Sequence, residues 1–243
     1  MLTLYDFKID LPEKSISPGA MKVRMVLNYK NLPYKNVWIP YHEIQKRFTE
    51  LGFGPNDLEP KPDGTFRYTV PILHDSSTNQ VISDSLRIIH YLDETYPEAP
   101  RVIEPGTKLL AVTLEQTAVN TASAEKFRFT IETFFLEGTS IETFLADKKL
   151  EDAKWVQAEA GLTALDGFFK KAELATEAGQ GDKLPFINGK NPSYPDFALG
   201  SLFVWMERGM RGADRERWER ITSLNNGRWG ALYEGLRPYL ATH

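Results

Sequence analysis

The chain has 243 residues, enough for one large domain or two small ones with a substantial hydrophobic core. A formal charge of −4 provides no basic surface for nucleic acid or an anionic membrane, and the absence of cysteine excludes disulfides, thiolate metal sites and a cysteine nucleophile. The first residues lack the charged and apolar regions of a secretory signal, and no run approaches about 20 apolar residues. We therefore expect a soluble cytoplasmic protein.

Short strand patterns and helical patterns alternate over the first hundred residues. β-branched or aromatic runs predict strands at 2–7, 36–39, 68–73 and 80–82. Apolar spacing predicts helices at 18–31, about 41–51 and 84–96. This order predicts a thioredoxin-like α/β domain over residues 1–97. The Gly/Pro/Asp-rich segment 52–66 is predicted to be a long loop, either a binding lid or a surface insertion.

The first helix is predicted to begin directly after Ser17. Pro18 suits the first helical turn because the N–H that proline lacks has no helical partner there. Ser17 is then the N-cap, and its hydroxyl and the nearby N–H groups converge on one point. Arg24, inside this helix, is predicted to pair with a carboxylate and brace the fold.

Pro71 interrupts the apolar strand pattern of residues 66–74. A proline removes a donor from the ladder, so it is expected at a bulge, an edge or a special turn. Such a position often has a cis bond and leaves backbone groups of the preceding residue unpaired. We predict a cis Val70–Pro71 bond, with the N–H and C=O of Val70 available to an extended peptide.

A second helix N-terminus is predicted close to this proline. Ser83-Asp84-Ser85 precedes the apolar run that begins at Leu86, so free N–H groups and a partial positive charge are expected there. A small acidic peptide fits the combination, because its backbone can pair with Val70 while a carboxylate lies at the Ser85 helix end.

After a linker at 98–104, the remaining residues 105–243 are predicted to form an all-helical domain. Long amphipathic stretches occupy 107–137 and 148–176. Ser193 and Asp196 form a capping-box pattern before a nearly uniform apolar run, which predicts a central core helix.

The pairs Val70-Pro71 and Asp84-Ser85, the second opening a helix, resemble the glutathione-binding half of cytosolic glutathione transferases. Specific motifs carry this resemblance over residues 1–97. Over 106–243 it rests on helical layout and the capping box. It implies the glutathione transferase fold, a thioredoxin-like α/β domain followed by an all-α domain, with glutathione as co-substrate and no metal.

Ser15-Ile16-Ser17-Pro18, with Val23-Arg24 following, is most similar to the fungal-specific and etherase-related serine classes of this family. The resemblance implies that the hydroxyl of Ser17, or of Ser15, stabilises the glutathione thiolate. Without that role Ser17 is an ordinary helix cap. Transfer of glutathione to hydrophobic aromatic or ether-type electrophiles is the implied reaction, with etherase or peroxidase side activity.

The same resemblance implies roles for residues of the tripeptide site. Val70, before Pro71, anchors the peptide backbone. Asp84 takes the γ-glutamyl ammonium and Ser85 the α-carboxylate. His42, at the start of the second helical region, contacts the glycine end, unless it is an ordinary surface histidine.

Aromatic residues are concentrated in the second half of the sequence, and Phe127 and Phe129 are the candidates for contacting a hydrophobic substrate. A second hypothesis is a ligandin that keeps the glutathione site but mainly binds plant-derived aromatic compounds. A third is a module without catalysis, which would have no need of both motifs. The resemblance implies a homodimer. The net charge indicates no nucleic-acid or membrane partner, and the histidines show no metal-ligand spacing.

Overall fold

The computed structural model describes residues 1–8, 15, 17–54, 57–58, 60–61, 63–121, 148–174, 185–187, 189–209 and 215–242. Its four-stranded sheet has the order β2-β1-β3-β4, with β1 parallel to β2 and antiparallel to β3. The strands are β1 (Leu2–Phe7), β2 (Tyr34–Ile39), β3 (Ile72–Asp75) and β4 (Gln80–Ser83).

Three helices accompany the sheet, and four more are described after it. Those of the first part are α1 (Pro18–Tyr29), α2 (Ile44–Glu50), which follows a 3₁₀ turn at Tyr41–Glu43, and α3 (Ser85–Thr95). Those of the second part are α4 (Lys108–Thr121), α5 (Lys148–Leu174), α6 (Tyr194–Gly209) and α7 (Arg215–Leu236), which is followed by a 3₁₀ turn at Arg237–Tyr239. Helix α7 contains a non-helical interruption at Leu224–Gly227.

The strand prediction for 68–73 was wrong at its beginning. Strand β3 starts only at Ile72, and Phe66 instead forms an isolated bridge with Pro60. Pro71 has no N–H to donate to the ladder, so regular pairing begins after it. The other predicted strands and helices correspond to observed elements with shifted ends. Residues 122–137 of the predicted helix 107–137 and residues 175–176 of the predicted helix 148–176 lie outside the described residues.

The alternation of side chains along the strands divides the core into two clusters. Leu2, Leu4 and Leu73 face α1 and α3 and join a cluster that continues into α6. Tyr5 and Ile72 face the opposite side and pack with residues of α2. Adjacent residues of one strand thus reach opposite faces, as a pleated strand requires, and the sheet lies between two layers of helices.

Asp196 reaches back to the Ser193 N–H as the predicted capping box requires, but the Ser193 hydroxyl donates to the Asp196 carboxylate, and the Asp196 N–H bonds to the Ser193 carbonyl at 3.0 Å. Asp196 Oδ2 accepts bonds from the Ser193 backbone N–H at 2.8 Å and from the Ser193 hydroxyl at 2.6 Å. Asp196 Oδ1 accepts the N–H of Ile187 at 2.7 Å. Burial raises the pKa of Asp196 despite these bonds, and the buried carboxyl joins the α6 terminus to the preceding segment.

A buried ion pair joins α1, α3 and the segment that leads to α4. Lys30 Nζ lies 2.6 Å from Asp93 Oδ1 and donates to the Pro100 carbonyl at 2.8 Å. Asp93 also accepts the N–H groups of Val102 at 3.2 Å and Ile103 at 2.9 Å. The chain therefore enters the helical part along a fixed path. None of the helices in the described part of the chain combines the length and apolar character that a membrane span needs.

We expect Asp93→Ala to lower the free energy of unfolding by about 3–5 kcal/mol, because it leaves the Lys30 charge buried without an opposite charge. Chemical denaturation measures the loss. Glu94→Ala is the matched control, since Glu94 is 56% exposed in its ion pair with Arg101 and its removal should cost under about 1 kcal/mol. Equally small losses in both variants would show that the Asp93 cluster contributes no more than a surface pair.

Candidate functional site

One edge of the sheet gathers the predicted site residues. Strands β1, β2 and β4 end at this edge, and β3 begins there. The ladder pairs Ile72 with Ser83, so one step further along each strand Pro71 lies beside Asp84. The N-termini of α1 and α3 and the 3₁₀ turn after β2 follow from the same edge. Sheet register, rather than proximity in sequence, therefore brings the motifs together.

The Val70–Pro71 bond is cis, as predicted, and it lies against the first turn of α1. The contact is made at Gly19. A Cβ placed on Gly19 would lie 3.1 Å from Pro71 Cδ, 3.4 Å from the Val70 carbonyl oxygen and 3.9 Å from Ser17 Oγ. Ser17 Oγ and the Val70 carbonyl are thus within 4 Å of one point. A larger residue at position 19 would occupy the space where the two segments meet.

The backbone of Val70 is free of the ladder. Its side chain is buried with Ile44 and Phe48 of α2, and β3 pairing starts at Ile72. Within the described residues, no backbone hydrogen bond reaches the Val70 N–H or C=O. Buried chain normally satisfies these groups, so their availability suits an incoming peptide.

Ser17 is the N-cap of α1, as predicted. Its Oγ accepts the Ala20 N–H at 3.3 Å, and its carbonyl accepts the Met21 N–H at 2.9 Å. A hydroxyl has one proton as well as its acceptor lone pairs, and the described residues provide no acceptor for the Ser17 proton. Ser17 is half-buried, so the proton can be donated to a bound anion.

Ser15 lies in a different environment. It is fully buried, and its Oγ donates to Asp6 Oδ2 at 2.6 Å. The same carboxylate oxygen accepts Arg24 Nη2 at 2.9 Å, so Arg24 pairs with a carboxylate as predicted. Burial raises the pKa of Asp6, although Arg24 and Ser15 act in the opposite direction. The Ser15 proton is already engaged in this buried network.

Asp84 is the N-cap of α3, and Ser85 is the first residue of the helix. Asp84 Oδ1 accepts the Arg87 N–H at 3.0 Å, and the Asp84 carbonyl accepts the Ile88 N–H at 2.9 Å. No bond from the described residues reaches the N–H groups of Ser85 and Leu86. Free N–H groups at the positive end of a helix dipole can accept an anion, and here they lie beside the cis bond.

The backbone of Asp84 is in an unusual conformation, with φ 76° and ψ 129°. Non-glycine residues in such regions cost about 1–3 kcal/mol and are concentrated at functional sites. The conformation turns the chain from β4 into α3 and leaves the Asp84 side chain exposed at the sheet edge. The second carboxylate oxygen is therefore accessible to a cation.

A further charge cluster, largely buried, lies between α1, α4 and α6. Glu115 accepts a hydrogen bond from the Tyr194 hydroxyl and forms an ion pair with Lys22. The Lys22 ammonium lies 5.3 Å from the centre of the Tyr194 ring. Burial, then Glu115 and, more weakly, Asp84 raise the pKa of Tyr194.

The structure gives less information about the remaining predicted site residues. His42 lies on the 3₁₀ turn after β2 with its side chain 81% exposed, and its Nε2 is 3.7 Å from Glu43 Oε1. Phe127 and Phe129 lie outside the described residues. Among the residues that the structure describes, no group of three or more His, Asp or Glu side chains is arranged to hold a metal ion.

Several residues around the site were not predicted. Gly19 directly follows Ser17-Pro18, and a glycine in a first helical turn is a signal for close packing. The sequence could not show that its neighbour is Pro71, because that contact is tertiary. Asp6 is in the middle of an otherwise apolar strand, a local signal for a buried partner. Glu115 and Arg208 are ordinary helix residues in the sequence, and only the packing of the helices places them near this edge.

Comparison with known proteins agrees with this geometry. The family model described as glutathione S-transferase, N-terminal domain, matches residues 11–100, and the model for the C-terminal domain matches residues 99–239. The sheet is thus a thioredoxin-like domain, and an all-helical domain follows it. The predicted fold class is confirmed, and the chain belongs to the glutathione S-transferase family.

Individual relatives cover nearly the whole chain. The glutathione S-transferase-like protein ustS of Aspergillus flavus is 30% identical, over 98% of this chain and 91% of its own length. A glutathione S-transferase of Ceriporiopsis subvermispora, solved in complex with glutathione, is 28% identical with a TM-score of 0.81, over 100% of this chain and 98% of its own. Glutathione transferase GSTFuA3 of Phanerochaete chrysosporium is 29% identical with a TM-score of 0.75, over 98% of this chain and 96% of its own.

Proposed function

We propose that this protein is a serine-type glutathione transferase that binds glutathione at the described sheet edge and activates its thiol with Ser17. The observation that carries the proposal is the meeting of two helix N-termini at the cis Val70–Pro71 bond, whose flanking N–H and C=O are free. The related transferase of Ceriporiopsis subvermispora was solved with glutathione bound, which supports the same ligand here.

The tripeptide has complementary groups for each part of this edge. Its backbone pairs with the N–H and C=O of Val70. Its α-carboxylate lies at the N–H groups of Ser85 and Leu86, where the helix dipole favours an anion. Its ammonium group lies at the accessible oxygen of Asp84. The glycine end extends toward the turn that contains His42.

The thiol then lies near the first turn of α1. A free thiol has a pKa near about 8.5, and lowering it by about two units requires roughly 2.7 kcal/mol of preferential thiolate stabilisation. A hydroxyl donor together with a helix N-terminus supplies an effect of this size. We favour Ser17 over Ser15 as the donor, because the Ser15 proton is donated to Asp6 while the Ser17 proton has no acceptor among the described residues.

The reaction we propose is attack of this thiolate on a hydrophobic aromatic or ether-type electrophile. The aromatic-rich sequence around Phe127 and Phe129 supports this substrate class. The family resemblance supports a homodimer. A ligandin that binds aromatic compounds with little turnover is the alternative outcome, and the Ser17 experiment below separates the two.

We expect Ser85→Ala to weaken glutathione binding by about 1–3 kcal/mol. The bound carboxylate keeps the backbone N–H at position 85 but loses the charge-assisted hydrogen bond that we assign to the Ser85 hydroxyl. Asp84→Asn should also lose affinity while keeping the helix cap, since asparagine caps as well as aspartate does. Isothermal titration calorimetry measures both. Ser223→Ala, on an exposed turn of α7, is the control and should bind as wild type does. Wild-type affinity in the two site variants would mean that the Asp84-Ser85 pair begins α3 and does not bind glutathione.

We expect Gly19→Ala to weaken glutathione binding roughly fivefold. The new methyl group lies 3.1 Å from Pro71 Cδ, so the cis-proline segment must move away from α1. The control is Gly167→Ala on α5, where a Cβ meets nothing within 4 Å. Binding is compared in the same titration, with thermal unfolding as a check on folding. An unchanged affinity for Gly19→Ala would mean that the contact between α1 and Pro71 does not shape the binding site.

Ser17→Ala tests the catalytic step. We expect it to raise the pKa of the bound glutathione thiol toward the free value and to lower turnover by about 10²-fold, as for the loss of one oxyanion donor. Thiolate absorbance against pH gives the first quantity, and initial rates with a dinitrochlorobenzene give the second.

Ser15→Ala is the comparison. It should lower thermal stability, because Asp6 loses a buried hydrogen bond, while leaving the thiol pKa unchanged. A pKa change in Ser15→Ala alone would move the donor to that residue. If neither serine variant alters pKa or rate while aromatic ligands still bind, the ligandin function replaces serine catalysis.

A further inference from the structure

Arg208 is a cation of the helical domain that is buried against the thioredoxin-like domain. It lies in the last turn of α6, and only 6% of the residue is exposed. Its Nη1 donates to the carbonyl of Ser15 at 2.5 Å and lies 3.3 Å from Met21 Sδ. Burying a guanidinium costs free energy that one neutral carbonyl repays only in part, so this placement is unlike that of a surface arginine.

The two residues that Arg208 contacts lie on either side of Ser17. Ser15 precedes it by two positions, and Met21 donates its N–H to the Ser17 carbonyl at 2.9 Å. Two residues of chain span at most about 7 Å, so the position of Ser15 restricts where the Ser17 cap can lie. Arg208 therefore contacts the segment that sets the position of the Ser17 hydroxyl.

Ser15 is held from both domains. Its hydroxyl donates to Asp6, which Arg24 holds from α1, and its carbonyl accepts from Arg208 of α6. Burial lowers the pKa of Arg208, and Arg24 acts in the same direction, whereas Glu207, Tyr233 and Asp6 act in the opposite direction. Charges of both signs thus act on Arg208, and its hydrogen bond to the Ser15 carbonyl, not a local excess of positive charge, links it to the Ser17 segment.

We propose that Arg208 is a positioning residue, through which the helical domain fixes the orientation of the Ser17 hydroxyl toward the glutathione thiol. Arg208 does not touch the thiol in this proposal. It acts on Ser17 through the backbone at Ser15 and through Met21. The inference rests on the proposed function, because it requires Ser17 to be the thiol donor.

The test is a double-mutant cycle on the pKa of the bound thiol. Arg208→Met keeps the aliphatic packing and removes the hydrogen-bond donor. We expect it to raise the pKa of the bound thiol by about one unit, while the dissociation constant of glutathione changes less than about threefold. In the Ser17→Ala background the same substitution should shift the pKa by under about 0.3 unit. A residue that only stabilises the fold would lower thermal stability without this dependence on Ser17.

Two further variants sharpen the result. Arg208→Lys retains a cation and a donor, and it should recover at least half of the pKa shift. Arg215→Met removes an arginine of the same domain that is 88% exposed, and it should match wild type. If Arg208→Met does not fold, Arg208→Gln takes its place in the cycle with the same expected shifts.

The outcomes separate this inference from the proposed function. A wild-type thiol pKa that is not lowered, or that Ser17→Ala does not change, overturns the Ser17 assignment and the inference with it. A lowered pKa that depends on Ser17 but is unaffected by the Arg208 substitution overturns the inference alone. Equal shifts with and without the Ser17 hydroxyl also overturn it, because Arg208 would then act on the thiol by another route.

Discussion

The ion pair between Asp6 and Arg24 is the interaction on which the arrangement of the site depends. Both side chains are fully buried, with Arg24 Nη2 at 2.9 Å from Asp6 Oδ2. Arg24 Nη1 also donates to Asn36 of β2 at 2.6 Å, and Asp6 accepts the Ser15 hydroxyl. Removing one partner of such a pair costs about 3–5 kcal/mol, because the other charge is left buried. The pair thus ties β1, β2, α1 and the loop before α1 to one another.

This constraint explains how a site built largely from backbone groups can be well ordered. The N–H and C=O of Val70 and the first N–H groups of α3 belong to the backbone and turn with no side-chain torsion, so their directions follow from the path of the chain through the sheet and helices. The Asp6 network fixes α1 relative to the sheet on one side of the cis bond. The ladder between β3 and β4 fixes α3 on the other. Recognition of a tripeptide then needs few specific side chains.

The parts of the fold that local sequence determines were predicted well. A cap before proline placed the start of α1 at Ser17, and the acidic-Ser pair placed the start of α3. The strand predicted before Pro71 was wrong, because Tyr68 and Val70 pack against the residues of α2 without joining the ladder. β-propensity indicates that a segment favours an extended backbone, whereas strand pairing also needs a neighbouring strand in register.

The sequence alone could not predict the contacts that join residues of distant segments. Arg208 and Ser15 are 193 positions apart, and Lys22 and Glu115 are 93 apart. Arg208, Lys22 and Glu115 are unremarkable in their own helices, and no periodic pattern distinguishes them from solvated charges. For Asp84, the sequence predicted the motif at the helix start but not the backbone conformation. Its carboxylate caps α3 with one oxygen and leaves the other exposed at the sheet edge. One side chain can therefore hold the helix end that would bind the carboxylate of the tripeptide and, at the same time, receive the tripeptide's ammonium group.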